Sequence, residues 1–305
     1  MSTATPTLPD PRQVFTDLGK DPHEIRTIEL LSGEHNHAIW RITIPEHSYI
    51  LKWQPAADAM TEIKGYLLLH KLGVPTLPLF GHNLEALLME DLTCSARWRL
   101  ATAVDITKAE TGRAVANWYK VFHNAGEELL SKEDCPDFMT REIDVLNPNS
   151  FLSAGSILGI TSSRAWDLAI LHIELLKAAV ARLSYTLNYN DFFWTNLALS
   201  LRGGRHRKAI IFDYHLLGVG MRYSDCRNVT SSLSGAAVPA FWDNYGPTDP
   251  REQVLDLPLA GLHALVQAAQ MPKFPKWAED SLARLKSGEL ERDLIAAIEV
   301  AQQIC

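Results

Sequence analysis

Residues 185–200 read YTLNYNDFFWTNLALS, a run in which Asn188, Asn190, Asp191 and Asn196 stand among large apolar side chains. Polar groups in such company either close a turn on themselves or hold a metal and a phosphate. Asp191 and Asn196 make a D-x-x-x-x-N pair. Phosphoryl transfer uses such a pair: the carboxylate accepts or orients the hydroxyl proton, and an Asn a turn later binds metal. The spacing alone says little, since Asp144 and Asn149 repeat it in DVLNPN. Context separates the two. Asn196 opens an apolar strand, NLALSL, and the returning strand KAIIFDY carries Asp213 near its end. A carboxylate ending one strand beside an amide opening its partner supplies two hard oxygen ligands, a set that Mg²⁺ accepts while keeping its other positions for waters and phosphates.

Upstream, Lys52 lies inside the apolar pattern SYILKW, so its ammonium must be aimed at a partner. Glu62 follows ten residues later, placed by the pattern in the first turn of the next helix. A strand Lys paired with a helix Glu clamps α- and β-phosphates in kinases. A solvated edge-strand Lys and a helix-start Glu favoured by the macrodipole are the competing account.

These residues need elements to hold them. IRTIELL, AIWRITI and SYILKW read as short antiparallel strands, rich in Ile, Thr, Tyr and Trp. EIKGYLLLHKLGV has helical spacing, with Thr61 or Asp58 as cap and Gly73 and Pro75 as stop. TLPLFGHN and ALLMEDL complete five strands. From about residue 104 the patterns are helical, with two long helices before the Asp191 loop and further helices from Val254 to Ile304. The fold class expected is α+β and bilobal: a five-stranded lobe with one helix over 1–91, and a larger helical lobe over 92–305 carrying a hairpin.

Bulk composition narrows the alternatives. An apolar fraction of 47% and a charged fraction of 21% describe a globular chain. A net charge of −7 gives no footprint for a nucleic-acid partner, though it leaves room for a local basic pocket. No apolar run is long enough to span a bilayer, and the start, MSTATPTLPDPRQ, reads as a frayed arm rather than a signal peptide. Cys94, Cys135, Cys226 and Cys305 are scattered, which fits a reducing cytoplasm. His35 and His37 form too sparse a pair for a metal site, and His123 and His215 read as structural histidines. Trp98, Trp118 and Trp166 fall in helical patterns and read as core, while Asp137, Glu142 and Asp144 read as solvated charge.

Taken in order, these stretches resemble the aminoglycoside phosphotransferase and choline kinase-like family, which has a protein-kinase-like fold. LLSGEHNHAIWRI resembles the nucleotide-covering loop, ILKW the phosphate-lysine strand and LLMEDL the hinge. YNDFFWTN stands where the family has His-Gly-Asp-x-x-x-x-Asn, and IIFDYHLLGVGMRYSD matches its I-D-x-x-x-x-G-x-G pattern through Asp213, Gly218, Gly220 and Asp225. The resemblance implies a kinase using ATP, or GTP, with Mg²⁺, and a small-molecule hydroxyl acceptor: an aminoglycoside-like compound, an amino alcohol, a sugar or a nucleoside. It implies Asp191 as catalytic base, Asn196 and Asp213 as metal ligands, and Lys52, oriented by Glu62, on the phosphates. It places Gly33 in the covering loop and the backbone of Glu90, Asp91 and Leu92 against the base. Asp225 would brace the catalytic loop, and Trp194, Asp243 and Tyr245 are acceptor-site candidates. Tyr189-Asn190 replaces His-Gly, and Asn190 tolerates left-handed backbone angles nearly as well as Gly. Two other functions compete. One is a catalytically silent nucleotide-binding module of this fold. The other is a metal-dependent hydrolase of another fold, for which Lys52 and Glu62 would be irrelevant.

Overall fold

The computed structural model describes residues 8–34, 37–132 and 135–305. Five antiparallel strands open it: β1 (Thr27–Glu34), β2 (His37–Thr43), β3 (Ser48–Trp53), β4 (Leu79–His82) and β5 (Ala86–Glu90), in the order β1-β2-β3-β5-β4. Strand periodicity sends Ala38, Trp40 and Ile42 of β2 to one face, where they meet Leu51 and Leu88. That face is covered by a short helix, α1 (Pro11–Asp17), through Val14 and Phe15. Asp10 caps it by accepting from the Arg12 N–H at 3.0 Å, and Pro11 takes the first helical position. The segment expected to fray is therefore helical from residue 11. Seven residues with two buried apolar side chains leave almost no periodic signal.

The other face takes α2 (Ala56–Lys71), whose Ile63, Tyr66 and Leu69 are buried and whose Tyr66 hydroxyl lies 3.3 Å from Met89 Sδ on β5. Neither Thr61 nor Asp58 caps it. The helix starts at Ala56 after Pro55, with no side-chain cap, so Glu62 sits in its second turn and owes nothing to the macrodipole.

The chain continues through β6 (Trp98–Leu100), α3 (Ala109–Lys132), α4 (Pro148–Leu158), α5 (Arg164–Val180), β7 (Thr186–Asn188), β8 (Leu197–Ser200), β9 (Ala209–Ile211) and β10 (Gly218–Gly220). It ends with α6 (Arg222–Ser232), α7 (Ala237–Tyr245), α8 (Pro250–Ala269), α9 (Glu279–Lys286) and α10 (Glu289–Ile304). The expected β8–β9 hairpin is present, with Leu197 opposite Ile211. A third strand, β6, joins its other edge and pairs Trp98 with Ser200. Trp98 is thus half-buried on a strand rather than in a helix.

By packing density the chain gathers into two units: residues 1–125, 191–217 and 229–246, and residues 126–190, 218–228 and 247–305. The boundary at 91 expected from the sequence marks a change from sheet to helix and is a different kind of division. In the second unit α5, α8 and α10 bury Trp166, Ile173, Leu176, Leu262 and Leu294. The β7–β10 pair lies in the same unit, with Gly220 so close to Asn188 that an added Cβ would stand 2.1 Å from its Oδ1. Among the described residues no helix is long and apolar enough to cross a membrane. No disulfide joins any two of the four cysteines.

Candidate active site

The first unit contains Lys52, Glu62, Asp191, Asn196 and Asp213, while Asp225 lies in the second. Lys52 stands on β3 between Ile39 of β2 and Leu87 of β5. Its neighbour Leu51 faces the α1 core, so Lys52 faces α2. It is 7% exposed, and its Nζ lies 2.7 Å from Glu62 Oε2 and 2.8 Å from Asp213 Oδ1. Burial alone would lower the Lys52 pKa, but Glu62 and Asp213 hold it above its ordinary value. The solvated edge-strand account of Lys52 fails here.

Glu62 is fully buried. Gln54 Nε2 also donates to its Oε2 at 2.8 Å, while Oε1 has no partner among the described residues. Burial raises the Glu62 pKa, against the pull of Lys52.

Asp213 follows β9 with φ of +69°, a left-handed conformation that Asp tolerates better than most residues. Its Oδ1 accepts from Lys52 and from His215, whose Nδ1 lies 2.9 Å away. Burial works against ionisation of Asp213, but these two donors bring its pKa below the usual carboxylate range. Reciprocally, the bond to Asp213 raises the His215 pKa. His215 is exposed, and its ring is satisfied by this bond to Asp213. The sequence signal was its place two residues after a ligand-type Asp.

Asp191 and Asn196 are held by a single turn. The Asn196 N–H donates to the Phe193 carbonyl at 3.0 Å, and the Asn196 carbonyl accepts from the Phe212 N–H at 3.1 Å. Asn196 Nδ2 donates to Asp191 Oδ2 at 2.9 Å. Burial raises the Asp191 pKa; Asp213 adds to this, and His215, Asn196 and Lys52 oppose it. Just before this loop, in the second unit, Asp225 is fully buried and accepts from the Tyr189 N–H at 2.8 Å and the Asn190 N–H at 3.0 Å. The brace runs through the backbone, which any residue provides. Asn190 has φ of +67°, the conformation that a Gly at this position would suit.

The oxygens fit a hard cation. With Asp213 Oδ1 and Asn196 Nδ2 engaged, Asp213 Oδ2 and Asn196 Oδ1 make no hydrogen bond within the described residues. Two protein oxygens suit Mg²⁺, which retains waters and takes phosphates. No group of three or more His, Cys, Asp or Glu suited to a metal is found among the described residues.

At the other end, a cavity of about 230 Å³ is walled by Leu31, Ile50, Leu77, Met89, Leu92 and Phe212. Asp91 at its rim is 2% exposed and accepts from Arg41 Nε, Ser48 Oγ and the Thr93 backbone and hydroxyl. Its side chain pins the segment leaving β5. The Glu90 N–H is already given to the Pro78 carbonyl, and the Asp91 carbonyl accepts from Cys94. Gly33 lies within β1, opposite Ala38 and without positive φ, so its conformation does not require glycine. His35 lies outside the described residues.

The acceptor candidates divide. Phe192 is buried against Tyr119, whereas Phe193 is exposed and Trp194 half-exposed. Asp243 is exposed on α7. Tyr245 is buried, with its ring stacked on Phe241 and its hydroxyl 2.7 Å from His123 Nδ1, so packing accounts for it. Asp137 and Asp144 are exposed, as expected, whereas the Glu142 carboxyl lines a cavity and burial pushes its pKa up to about 7.

No family model and no curated protein matches this chain. Solved structures do. Choline kinase LicA from Streptococcus pneumoniae is 13% identical, with 92% of this chain and 97% of that chain covered and a TM-score of 0.61. A Plasmodium vivax ethanolamine kinase is 13% identical, with 92% and 89% covered and a TM-score of 0.60. A mutant aminoglycoside 2′-phosphotransferase-IIIa in complex with GDP is 12% identical, with 93% and 97% covered and a TM-score of 0.62. The chain has the protein-kinase-like fold of these small-molecule kinases.

Proposed function

We propose that the chain is a Mg²⁺-dependent phosphotransferase that moves the γ-phosphoryl of ATP or GTP to a hydroxyl of a small molecule. The observation that carries this reading is the joined set Glu62–Lys52–Asp213 beside Asp191–Asn196. A lysine fixed between two carboxylates is held where phosphates would meet it, and its charge is kept by those partners. Asp213 and Asn196 would hold the metal, whose contribution is to neutralise charge on the transferring group. Asp191 would align the acceptor hydroxyl and take its proton, a task helped by a pKa raised toward the working range. The apolar cavity at Met89 and Leu92 would take the base. Phe193 and Trp194, next to Asp191, would wall the acceptor, and the neighbours' acceptors suggest an amino alcohol or an aminoglycoside. A silent module is the weaker reading, because the base, the ligand pair and the lysine are all retained.

The test is transfer of radiolabelled γ-phosphate from ATP and from GTP to a panel of amino alcohols, aminoglycosides, sugars and nucleosides. Product with wild type and none with Asp191→Asn supports the reading. No transfer to any acceptor, and no nucleotide hydrolysis, would favour the silent module.

A further inference from the structure

The chain is acidic overall, yet Arg202, Arg205, His206, Arg207 and Lys208 crowd the β8–β9 turn. The edge strand β6 adds Trp98, and the residue before it adds Arg97: Trp98 pairs with Ser200, and the Leu201 N–H donates to the Arg97 carbonyl at 2.9 Å. The nearby acids serve other cations. Asp105 takes Arg99 at 2.7 Å and Lys108 at 3.1 Å, and Glu110 takes Arg207 at 2.8 Å and the Gly204 N–H at 2.9 Å. Arg97, Arg202, His206 and Lys208 line a groove of about 690 Å³ together with Trp98, and no carboxylate lines it. Among the described residues none of Arg97, Arg202, His206 and Lys208 has an acidic side-chain partner. Like charges gathered in one concavity repel one another unless an anion joins them.

We propose that this groove is a second ligand site, separate from the Lys52–Asp213 centre, for a nucleotide-sized phosphorylated molecule. Arg97, Arg202 and Lys208 would bind its phosphates through charge-assisted hydrogen bonds, and Trp98 would stack on its flat ring. The concave shape disfavours a lipid surface. The net charge of −7 disfavours a long nucleic acid, which would meet acidic surface beyond the groove.

Photolabelling with 8-azido-ADP, mapped by peptide mass spectrometry, tests this without presuming activity. Label is expected within residues 96–100 and 198–208, displaced by ADP and reduced about tenfold or more in Arg97→Gln/Arg202→Gln/Lys208→Gln, whose exposed substitutions leave the melting temperature in place. Groove label unchanged in that triple variant, or absent from both segments, overturns the proposal. Displacement by oligothymidylate at lower concentration than by ADP also overturns it, in favour of a nucleic-acid site. Label within residues 87–92 reports separately on the nucleotide cavity, so the two readings can fail independently.

Discussion

Lys52 and its two carboxylates carry opposite demands. Removing the lysine leaves Glu62 buried beside Asp213 with no cation between them. Lys52→Met is expected to cost about 3–5 kcal/mol, read by urea unfolding, because a buried charge loses its partner. Unchanged stability would mean that Glu62 is protonated and idle. Asp191→Asn is expected to lower kcat by about 10²–10⁴ while leaving nucleotide binding intact.

Two pH effects follow at the same scale. Asp191 works ionised and its pKa is raised, first by burial, so the acid limb of the kcat profile should lie above the ordinary carboxylate range of roughly 4. His215→Gln removes an opposing positive neighbour and should move that limb further up; a limb that stays in place would disconnect Asp191 from the rate. Glu252, 4% exposed, has its pKa pushed up to about 7 by burial, against the Tyr223 N–H. Its folded pKa exceeds its unfolded one, so its contribution to stability is full below the unfolded value and is lost as pH rises through about 7. Glu252→Gln should flatten the decline in melting temperature between pH 6 and pH 8. Much of this scale was legible: Lys52, Glu62, Asp191, Asn196 and Asp213 stand in recognisable spacing. The bond from His215 to Asp213 was not legible, because a histidine near an Asp in sequence need not point at it, and here it follows the left-handed turn at Asp213.

Elements decide whether these residues meet. Helix α2 reaches Asp213 because Gly65 lets it approach: an added Cβ would stand 3.0 Å from Leu217 Cδ2 and 3.3 Å from Tyr214 Cβ. Tyr66 and Tyr214 then pack edge to face at 4.6 Å. Gly65→Val should push the helix off Tyr214, costing about 1–3 kcal/mol and weakening nucleotide binding along with stability. Loss of stability with intact binding would show that the helix is not what holds Glu62 in place. Strand β3 and helices α2, α3 and α5 were legible because each repeats its period long enough to show, and β8 and β9 because they are unbroken apolar runs joined by a polar turn. Helix α1 and strand β6 were not. The first has seven residues and the second three, and β6 is defined by a partner about a hundred positions away.

Across the whole molecule the fold was legible through the order of its motifs, from ILKW to IIFDYH, and the structural neighbours share that fold at about 13% identity. What the order does not carry is the acceptor, because pocket walls answer to shape rather than to spacing. The central claim is that Asp213 and Asn196 join a nucleotide to the fold through Mg²⁺. It is tested most directly by thermal shift with ATP and GTP, with and without Mg²⁺, in wild type and Asp213→Ala. A ligand held at about 100 times its dissociation constant adds about 2.7 kcal/mol to stability. The account predicts a magnesium-dependent rise in melting temperature for wild type that the variant lacks; no rise with either nucleotide at millimolar concentration, or an equal rise in the variant, would contradict it.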